Sequence, residues 1–150
     1  MAGAGEVRRT LPGRVFSDTS YFYACADTDD MNHWRALALA GEAVRSGTQV
    51  WTTWDVISET VTLLRYRHSS AAAMRFLDGV KPGLHVLDYG AEIRLQAEQV
   101  FRRHGRDHRL SFCDAISFVV VTALLDRMPC LAFDEDFRRL GLTVITRPYS

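Results

Sequence analysis

Long hydrophobic runs are absent from this 150-residue chain, and none approaches the roughly 20 apolar residues that a membrane-spanning helix needs. The opening segment, residues 1–9, has no apolar stretch after its charges, which argues against a secretory signal. We therefore expect a protein without a membrane contact. The length suits one domain, so residues 14–150 are predicted to form it, with residues 1–13 as a flexible N-terminal tail.

Cysteine is scarce, with three residues that have no Cys-x-x-Cys spacing and mostly apolar neighbours. This pattern argues against a disulfide framework or a zinc site, and it predicts reduced, buried thiols at Cys25, Cys113 and Cys130. A reducing compartment fits these thiols best, so the predicted location is the cytoplasm.

Net charge is also absent, because 18 basic residues balance 18 acidic ones. The chain therefore lacks the overall positive charge of proteins that bind nucleic acid by phosphate attraction alone. Lysine is nearly missing, since Lys81 is the only one and every other basic residue is arginine. Arginine suits bidentate phosphate contacts, but genomic base composition is the better explanation of its excess.

Several catalytic motifs are missing as well. Glycine-rich phosphate loops and Gly-x-Ser-x-Gly do not occur, which argues against a P-loop enzyme and a serine hydrolase. The five histidines are scattered, and none lies at metal-binding spacing from an acid, so zinc is not expected. Acidic oxygens remain as the candidate catalytic groups.

Strand-like and helix-like segments alternate along the chain, without an internal repeat. This alternation predicts an α/β fold in which crossover helices connect the strands of a parallel sheet. The predicted strands lie near residues 14–18, 49–53, 84–88, 130–133 and 142–145. The predicted helices lie near residues 32–46, 54–67, 70–79, 89–104 and 112–127, with a short helix through 135–137.

The segment 118–125 is ambiguous, because its β-branched residues favour a strand and its length favours a helix. We assign a helix, since residues 112–127 are too many for an average buried strand. Ser111 followed by Asp114 also resembles a capping box at the start of a helix. Because the segment is apolar nearly all round, this helix should be central and buried.

Four carboxylates stand one per segment, where an α/β fold brings them to one crevice. Asp18 and Asp134 follow strand-like runs, and Glu59 and Asp114 lie in otherwise apolar helical runs. Each acid alone has an ordinary explanation as a cap, a turn residue or a side chain that reaches solvent. At the carboxyl ends of one parallel sheet, however, they would repel one another unless a cation lay among them. Hard oxygen ligands predict Mg²⁺, with Mn²⁺ as the alternative.

Four motifs in this order resemble those of the PIN-domain ribonucleases, and within them the toxins of VapBC-type toxin–antitoxin pairs. The similar segments are Phe16–Ser20, Thr52–Glu59, Leu110–Ser117 and Leu131–Phe137, and the similarity covers about residues 14–146. The resemblance implies a three-layer α/β/α domain with a central, mostly parallel five-stranded sheet. It also implies a Mg²⁺-dependent endoribonuclease that is the toxin of a type II pair.

The resemblance assigns roles to the acids. Asp18 and Asp114 are expected to bind the metal, and Glu59 and Asp134 to complete the catalytic shell directly or through water. Asp136 is expected to be an outer metal-binding member. One or two Mg²⁺ ions would then activate water for phosphodiester hydrolysis.

Other residues and partners follow from the same resemblance. Ser20 matches a small polar position that orients the first aspartate, and we place it with the substrate-binding candidates. The best local candidates for RNA contact are Arg102, Arg103, Arg106 and Arg109, although a solvated helix end describes most of them better. The expected partners are an RNA substrate, a small cognate antitoxin and a second copy of the chain in a homodimer.

Competing families fit less well. A haloacid dehalogenase-like phosphatase needs Asp-x-Asp after its first strand, whereas position 20 here is serine. A response-regulator receiver domain fails for similar reasons. Two alternatives remain: an RNA-processing PIN nuclease outside a toxin pair, and a non-catalytic PIN-like module that binds RNA or protein. The compact length, without an added zinc ribbon or RNA-binding domain, favours the toxin.

Overall fold

A parallel five-stranded sheet forms the centre of the protein in a computed structural model that describes residues 11–106 and 109–148. Most of the predicted tail, residues 1–10, lies outside the described residues. The strand order is β3-β2-β1-β4-β5, and every neighbouring pair is parallel. The strands are β1 (Arg14–Ser17), β2 (Gln49–Thr52), β3 (His85–Val86), β4 (Cys130–Leu131) and β5 (Val144–Ile145).

Helices connect the strands as crossovers. Right-handed connections place the helices that follow β1 and β2 on one face and those that follow β3 and β4 on the other. The contacts agree, since the first four helices pack on one another and the last three do so as well. The helices are α1 (Thr19–Ala26), α2 (His33–Ser46), α3 (Trp54–Arg67), α4 (Ser70–Arg75), α5 (Ala91–His104), α6 (Phe112–Ala123) and α7 (Asp136–Arg139). The three-layer α/β fold is therefore confirmed.

The central strand explains why the core forms where it does. Val15 and Phe16 of β1 have no exposed surface, and they lie opposite Val50 of β2 and Cys130 of β4. Both faces of β1 are therefore covered, as expected for a central strand of a parallel sheet. Leu11, before the strand, is also buried in this core.

The ambiguous apolar segment is a helix, as predicted, and α6 buries Val119, Val120 and Val121. Its predicted end at residue 127 is wrong, because the helix stops at Ala123. Asp126 and Arg127 then adopt left-handed backbone conformations, with φ of 51° and 53°, which turn the chain towards β4.

Two further helix predictions differ from the structure. Sequence reasoning assigned no helix after Asp18, yet α1 begins at Thr19 with Asp18 as its N-cap. The predicted helix over residues 70–79 is α-helical only to Arg75; a π turn over Phe76–Val80 and a 3-10 turn over Lys81–Gly83 follow. Proline 82 in this last turn cannot donate the hydrogen bond that a continuing α-helix needs.

Two other predictions concerned the state of the cysteines and the lack of a membrane-spanning helix. All three cysteines are free, but only Cys130 is fully buried, and Cys25 and Cys113 are half-buried. Among residues 11–106 and 109–148, no helix combines the length and the apolar content that spanning a membrane requires.

Candidate metal centre

The topology brings two of the predicted acids together. Asp18 follows β1 directly, and Asp134 lies three residues after the end of β4. The two strands are parallel neighbours, with Ser17 of β1 opposite Leu131 of β4. The backbone N–H of Asp18 donates to the carbonyl of Leu131 at 3.1 Å. The chains that leave these strands therefore emerge side by side at the carboxyl edge of the sheet.

Asp18 is buried and held in a defined orientation. Its Oδ2 accepts hydrogen bonds from the backbone N–H of Ser20 at 3.3 Å and from the Ser20 hydroxyl at 2.8 Å. The Ser20 oxygen in turn accepts from the backbone N–H of Phe133 at 2.9 Å. Ser20 thus links the aspartate after β1 to the segment that carries Asp134 after β4.

Asp114 is positioned by the start of α6. Its backbone N–H donates to the Ser111 hydroxyl at 3.0 Å, and its Oδ2 accepts from the Ser111 N–H at 3.3 Å. This is the predicted capping box, which the structure confirms. The same box holds a carboxylate at the sheet edge, so the structural and the chemical interpretations of Asp114 are compatible. Asp134, by contrast, does not cap α7, because Glu135 occupies that position.

Electrostatic coupling shows that the acids form one cluster. Burial raises the pKa of Asp18 to about 7, and the charges of Asp114 and Asp134 add to this effect. Burial also raises the pKa of Asp114 to about 6. The charges of Glu59 and Asp134 raise it further, whereas the hydrogen bonds with Ser111 lower it. We call Asp18, Glu59, Asp114 and Asp134 the acid cluster.

Asp134 lies at the rim of the acid cluster. Partial shielding of its carboxylate raises its pKa, as do the charges of Asp136 and Glu59, although the residue as a whole is exposed. Asp136, in the first turn of α7, therefore lies near Asp134. Each of the five acids that the sequence singled out is thus close enough to at least one of the others for their charges to interact.

The donor set of the acid cluster fits a hard divalent cation. No described Lys, Arg or His side chain forms a salt bridge with these acids, so the buried carboxylates of Asp18 and Asp114 lack a counter-charge from the described protein. Buried unpaired carboxylates are costly, and a cation would offset that cost. Within the described residues, no three His, Cys, Asp or Glu side chains converge closely enough to hold a metal ion as they stand. Direct ligation by three of these acids would therefore require side chains to move.

Cys113 is a member of this site that sequence reasoning missed. Its thiol lies beside Glu59, and burial together with the negative charge of Glu59 raises the pKa of Cys113, so that it is a neutral thiol there. The contact joins α3 to α6, which also touch each other elsewhere. Its place directly before Asp114 was the available signal, but an apolar sequence context made Cys113 look like an ordinary buried thiol.

The candidate arginines lie outside the acid cluster but close to it. Arg102 and Arg103 are exposed in the last turn of α5, and Arg106 is exposed just after it. Phe101 of that turn packs edge-on against Phe112, with ring centroids 5.6 Å apart. Because Phe112 opens α6, the last turn of α5 packs beside the start of the helix that carries Asp114.

We predict that the metal-free protein loses stability as pH rises from about 4 to about 7. In this window the folded protein keeps protons on Asp18 and Asp114, whose folded pKa values are about 7 and about 6. The unfolded chain has released them, since an ordinary aspartate has a pKa of about 4, so the free energy of unfolding falls with rising pH. Asp18→Asn should flatten this dependence and raise the melting temperature at pH 8 by about 3–10 °C.

Thermal unfolding followed by circular dichroism in EDTA, between pH 4.5 and 8, measures this effect. Asp78→Asn is the matched control, because Asp78 is an exposed acid in the π turn. The prediction is contradicted if the melting temperature of the wild type does not change over this pH range. It is also contradicted if the melting temperature of Asp18→Asn depends on pH in the same way as that of the wild type.

Solved structures provide a comparison for this fold and site. VapC20 of Mycobacterium tuberculosis, described as a sarcin–ricin loop cleaving toxin, is 29% identical, with a TM-score of 0.77 over 89% of this chain and 99% of its own. VapBC2 of Rickettsia felis, bound to a DNA fragment from its promoter, is 11% identical, with a TM-score of 0.62 over 88% and 97%. FitAcB of Neisseria gonorrhoeae is 13% identical, with a TM-score of 0.61 over 87% and 96%. The last two show a shared fold alone. A comparison with curated protein sequences found no match.

A family model provides the stronger assignment. The model of the PIN domain matches residues 15–142, from β1 to the segment before β5. The matched range contains all four members of the acid cluster, together with Ser20 and Cys113. Since the match covers most of the described fold, the chain belongs to the PIN domain family.

Proposed function

We propose that this protein is a Mg²⁺-dependent endoribonuclease and the toxin of a type II toxin–antitoxin pair. The observation that carries the proposal is the acid cluster, in which the buried carboxylates of Asp18 and Asp114 lack a basic partner among the described residues. A PIN domain and a 29% identical solved structure described as a sarcin–ricin loop cleaving toxin support the ribonuclease and toxin parts.

Each member of the site has a role in this proposal. Asp18 and Asp114 bind the cation, Glu59 and Asp134 complete the shell through water or after small movements, and Asp136 is the outer member. Mg²⁺, or Mn²⁺ with the same hard-oxygen preference, supplies a water of lowered pKa and positive charge beside the scissile phosphate. A protein nucleophile is not required.

The neighbouring groups orient these acids. Ser20 donates to Asp18 and fixes the direction of its carboxylate. The neutral Cys113 thiol lies beside the Glu59 carboxylate and adds no charge to the site. Because the pKa values of Asp18 and Asp114 are raised, a cation competes with protons for the site near neutral pH. Metal affinity should therefore increase from pH 6 to pH 8.

The exposed arginines are the proposed phosphate contacts. Arg102, Arg103 and Arg106 provide planar guanidinium groups beside the start of α6, although the chain as a whole is neutral. A local positive surface beside an acidic site allows the RNA backbone to approach from one side. Binding through such contacts weakens as salt increases.

The apolar face of α1 and α2 is the proposed antitoxin-binding groove. A cavity of about 570 Å³ there is lined mainly by apolar side chains, including Tyr21, Leu37, Val44 and Phe76. Val44 is 83% exposed, a high value for a valine beside a cavity. The apolar face of an amphipathic helix would cover this groove. Tyr21 also contacts Phe133 near the acid cluster, so a chain leaving the groove can place an arginine against the acids.

RNA cleavage by the purified protein tests the proposed function. We expect cleavage of single-stranded RNA with Mg²⁺ or Mn²⁺, its loss in EDTA, and its recovery when Mg²⁺ is added in excess. RNA binding without metal-dependent cleavage would support the non-catalytic module instead. Cleavage without toxicity in cells, by a protein with no small partner, would favour an RNA-processing nuclease. Sedimentation at micromolar concentration separately tests the proposed homodimer.

A further inference from the structure

A cavity of about 470 Å³ lies between the first turns of α3 and α6. Trp54 opens α3, the helix that carries Glu59, and Phe112 opens α6, the helix that carries Asp114. Both aromatic side chains line the cavity, and both are well exposed, at 59% and 45%. The cavity thus offers two accessible aromatic surfaces at the starts of the two helices that carry Glu59 and Asp114.

A cationic side chain lies next to Trp54, and two arginines follow the residue that packs against Phe112. The Lys81 ammonium is 5.6 Å from the centroid of the Trp54 ring. Phe112 packs against Phe101, and the exposed Arg102 and Arg103 follow directly in the chain. Aromatic surfaces flanked by cations are the arrangement that binds single-stranded nucleic acid, because bases stack on the rings and phosphates contact the cations.

The cavity wall itself has the opposite charge. Asp55, Asp88 and Glu98 line it, with Arg94 as the one basic residue among the described lining side chains. The Tyr89 hydroxyl donates to Asp55 at 2.5 Å and holds that carboxylate in place. An excess of carboxylates repels a phosphate but accepts hydrogen bonds from the amino groups of bases. A neutral flat ring with N–H donors therefore fits the interior, whereas the RNA backbone does not.

We propose that this cavity is a base-binding subsite, which takes one unstacked nucleobase of a single-stranded RNA substrate. The base stacks on Trp54 or Phe112 and donates to the carboxylates of the wall, and the flanking phosphates contact Lys81, Arg102 or Arg103. This inference rests on the proposed ribonuclease function. It makes Trp54 a positioning residue, because a base held here places a nearby phosphodiester at the acid cluster.

Binding of short labelled RNA tests the subsite in the full chain. The probes are fluorescein-labelled octamers of cytidine and of uridine, C8 and U8, measured in EDTA so that they are not cleaved. Trp54→Ala is expected to weaken C8 binding by about 5- to 100-fold, the range for loss of one stacked base. Trp54→Phe should retain most of the affinity. C8 should bind more tightly than U8. Of these two bases, only cytosine has an amino group that can donate a hydrogen bond to the carboxylates.

Tyr66→Ala is the matched control, since Tyr66 is an exposed aromatic residue in the last turn of α3, away from the cavity. Its C8 affinity should equal that of the wild type. Phe112→Ala, on the opposite wall, should also weaken C8 binding and provides a second variant if Trp54→Ala does not fold. In cleavage assays with Mg²⁺ and C8, Trp54→Ala should raise KM by more than it lowers kcat.

The subsite is wrong if Trp54→Ala and Phe112→Ala both bind C8 with the wild-type affinity and cleave it with the wild-type KM. It is also wrong if the wild type binds U8 more tightly than C8. If Trp54→Ala converts a dimer into a monomer by sedimentation while the monomer still binds C8 normally, the cavity is an interface between copies and the subsite is again wrong. A separate outcome would contradict the proposed ribonuclease function without contradicting the subsite. A wild-type protein that binds C8 through Trp54 but cleaves no RNA supports the subsite and contradicts the ribonuclease.

Discussion

Asp114→Asn and Asp18→Asn are each expected to reduce Mg²⁺-dependent RNA cleavage by at least about 100-fold, the scale for removing one preorganised electrostatic group. Asparagine keeps the shape of the side chain but removes the negative charge that binds the cation. The Ser111–Asp114 cap and the Ser20–Asp18 contact can persist, because an amide oxygen also accepts hydrogen bonds. Activity should therefore be lost without loss of the fold.

Melting temperatures distinguish this outcome from unfolding. In EDTA at pH 8, both variants should be at least as stable as the wild type, since charge repulsion within the acid cluster is relieved. Added Mg²⁺ should raise the melting temperature of the wild type more than that of either variant. Glu59→Gln should weaken Mg²⁺ binding less, because Glu59 is only partly buried and completes the shell. Asp78→Asn should cleave like the wild type, and full activity of a folded Asp114→Asn would remove the acid cluster from the mechanism.

The second large effect concerns neutralisation by the antitoxin. Expression of the chain alone should stop growth, and co-expression with a small protein encoded beside it should restore growth. The double substitution Leu37→Asp and Val44→Asp should keep the toxicity but abolish the rescue. Two charges in an apolar groove lose their hydration when a helix covers them, and this opposes binding. Since both residues have exposed surface, the fold should tolerate the change.

Leu124→Asp is the matched control, because it adds a charge at another exposed leucine, just after α6 and outside the groove. Co-purification with the small partner measures the same contact directly. Rescue that persists with the double substitution would place the antitoxin elsewhere on the protein. A wild-type chain that is harmless in cells, with no small partner, would overturn the toxin function but leave the metal-dependent cleavage open to test.

The succession of strands and helices along the chain was predictable from the sequence, because local structure depends on neighbouring residues. The alternation of strand and helix patterns predicted all five strands, and a capping box with a long apolar run predicted α6. The helix α1 was missed, since its only early signal was an N-cap aspartate that also looks like a turn residue. Helix ends were least predictable, as at Ala123, where the left-handed backbone of Asp126 and Arg127 follows.

The sequence by itself determined which acids this protein has, their order along the chain, and the strands and helices that carry them. Tertiary structure alone decided the strand order, and through it the contact of Ser20 with Phe133, which lies 113 residues further along the chain. It also decided which carboxylates are buried, and hence their raised pKa values, and it placed Trp54 and Phe112 on one cavity. Propensity and capping act over a few residues, whereas burial and charge coupling depend on which distant segments pack together.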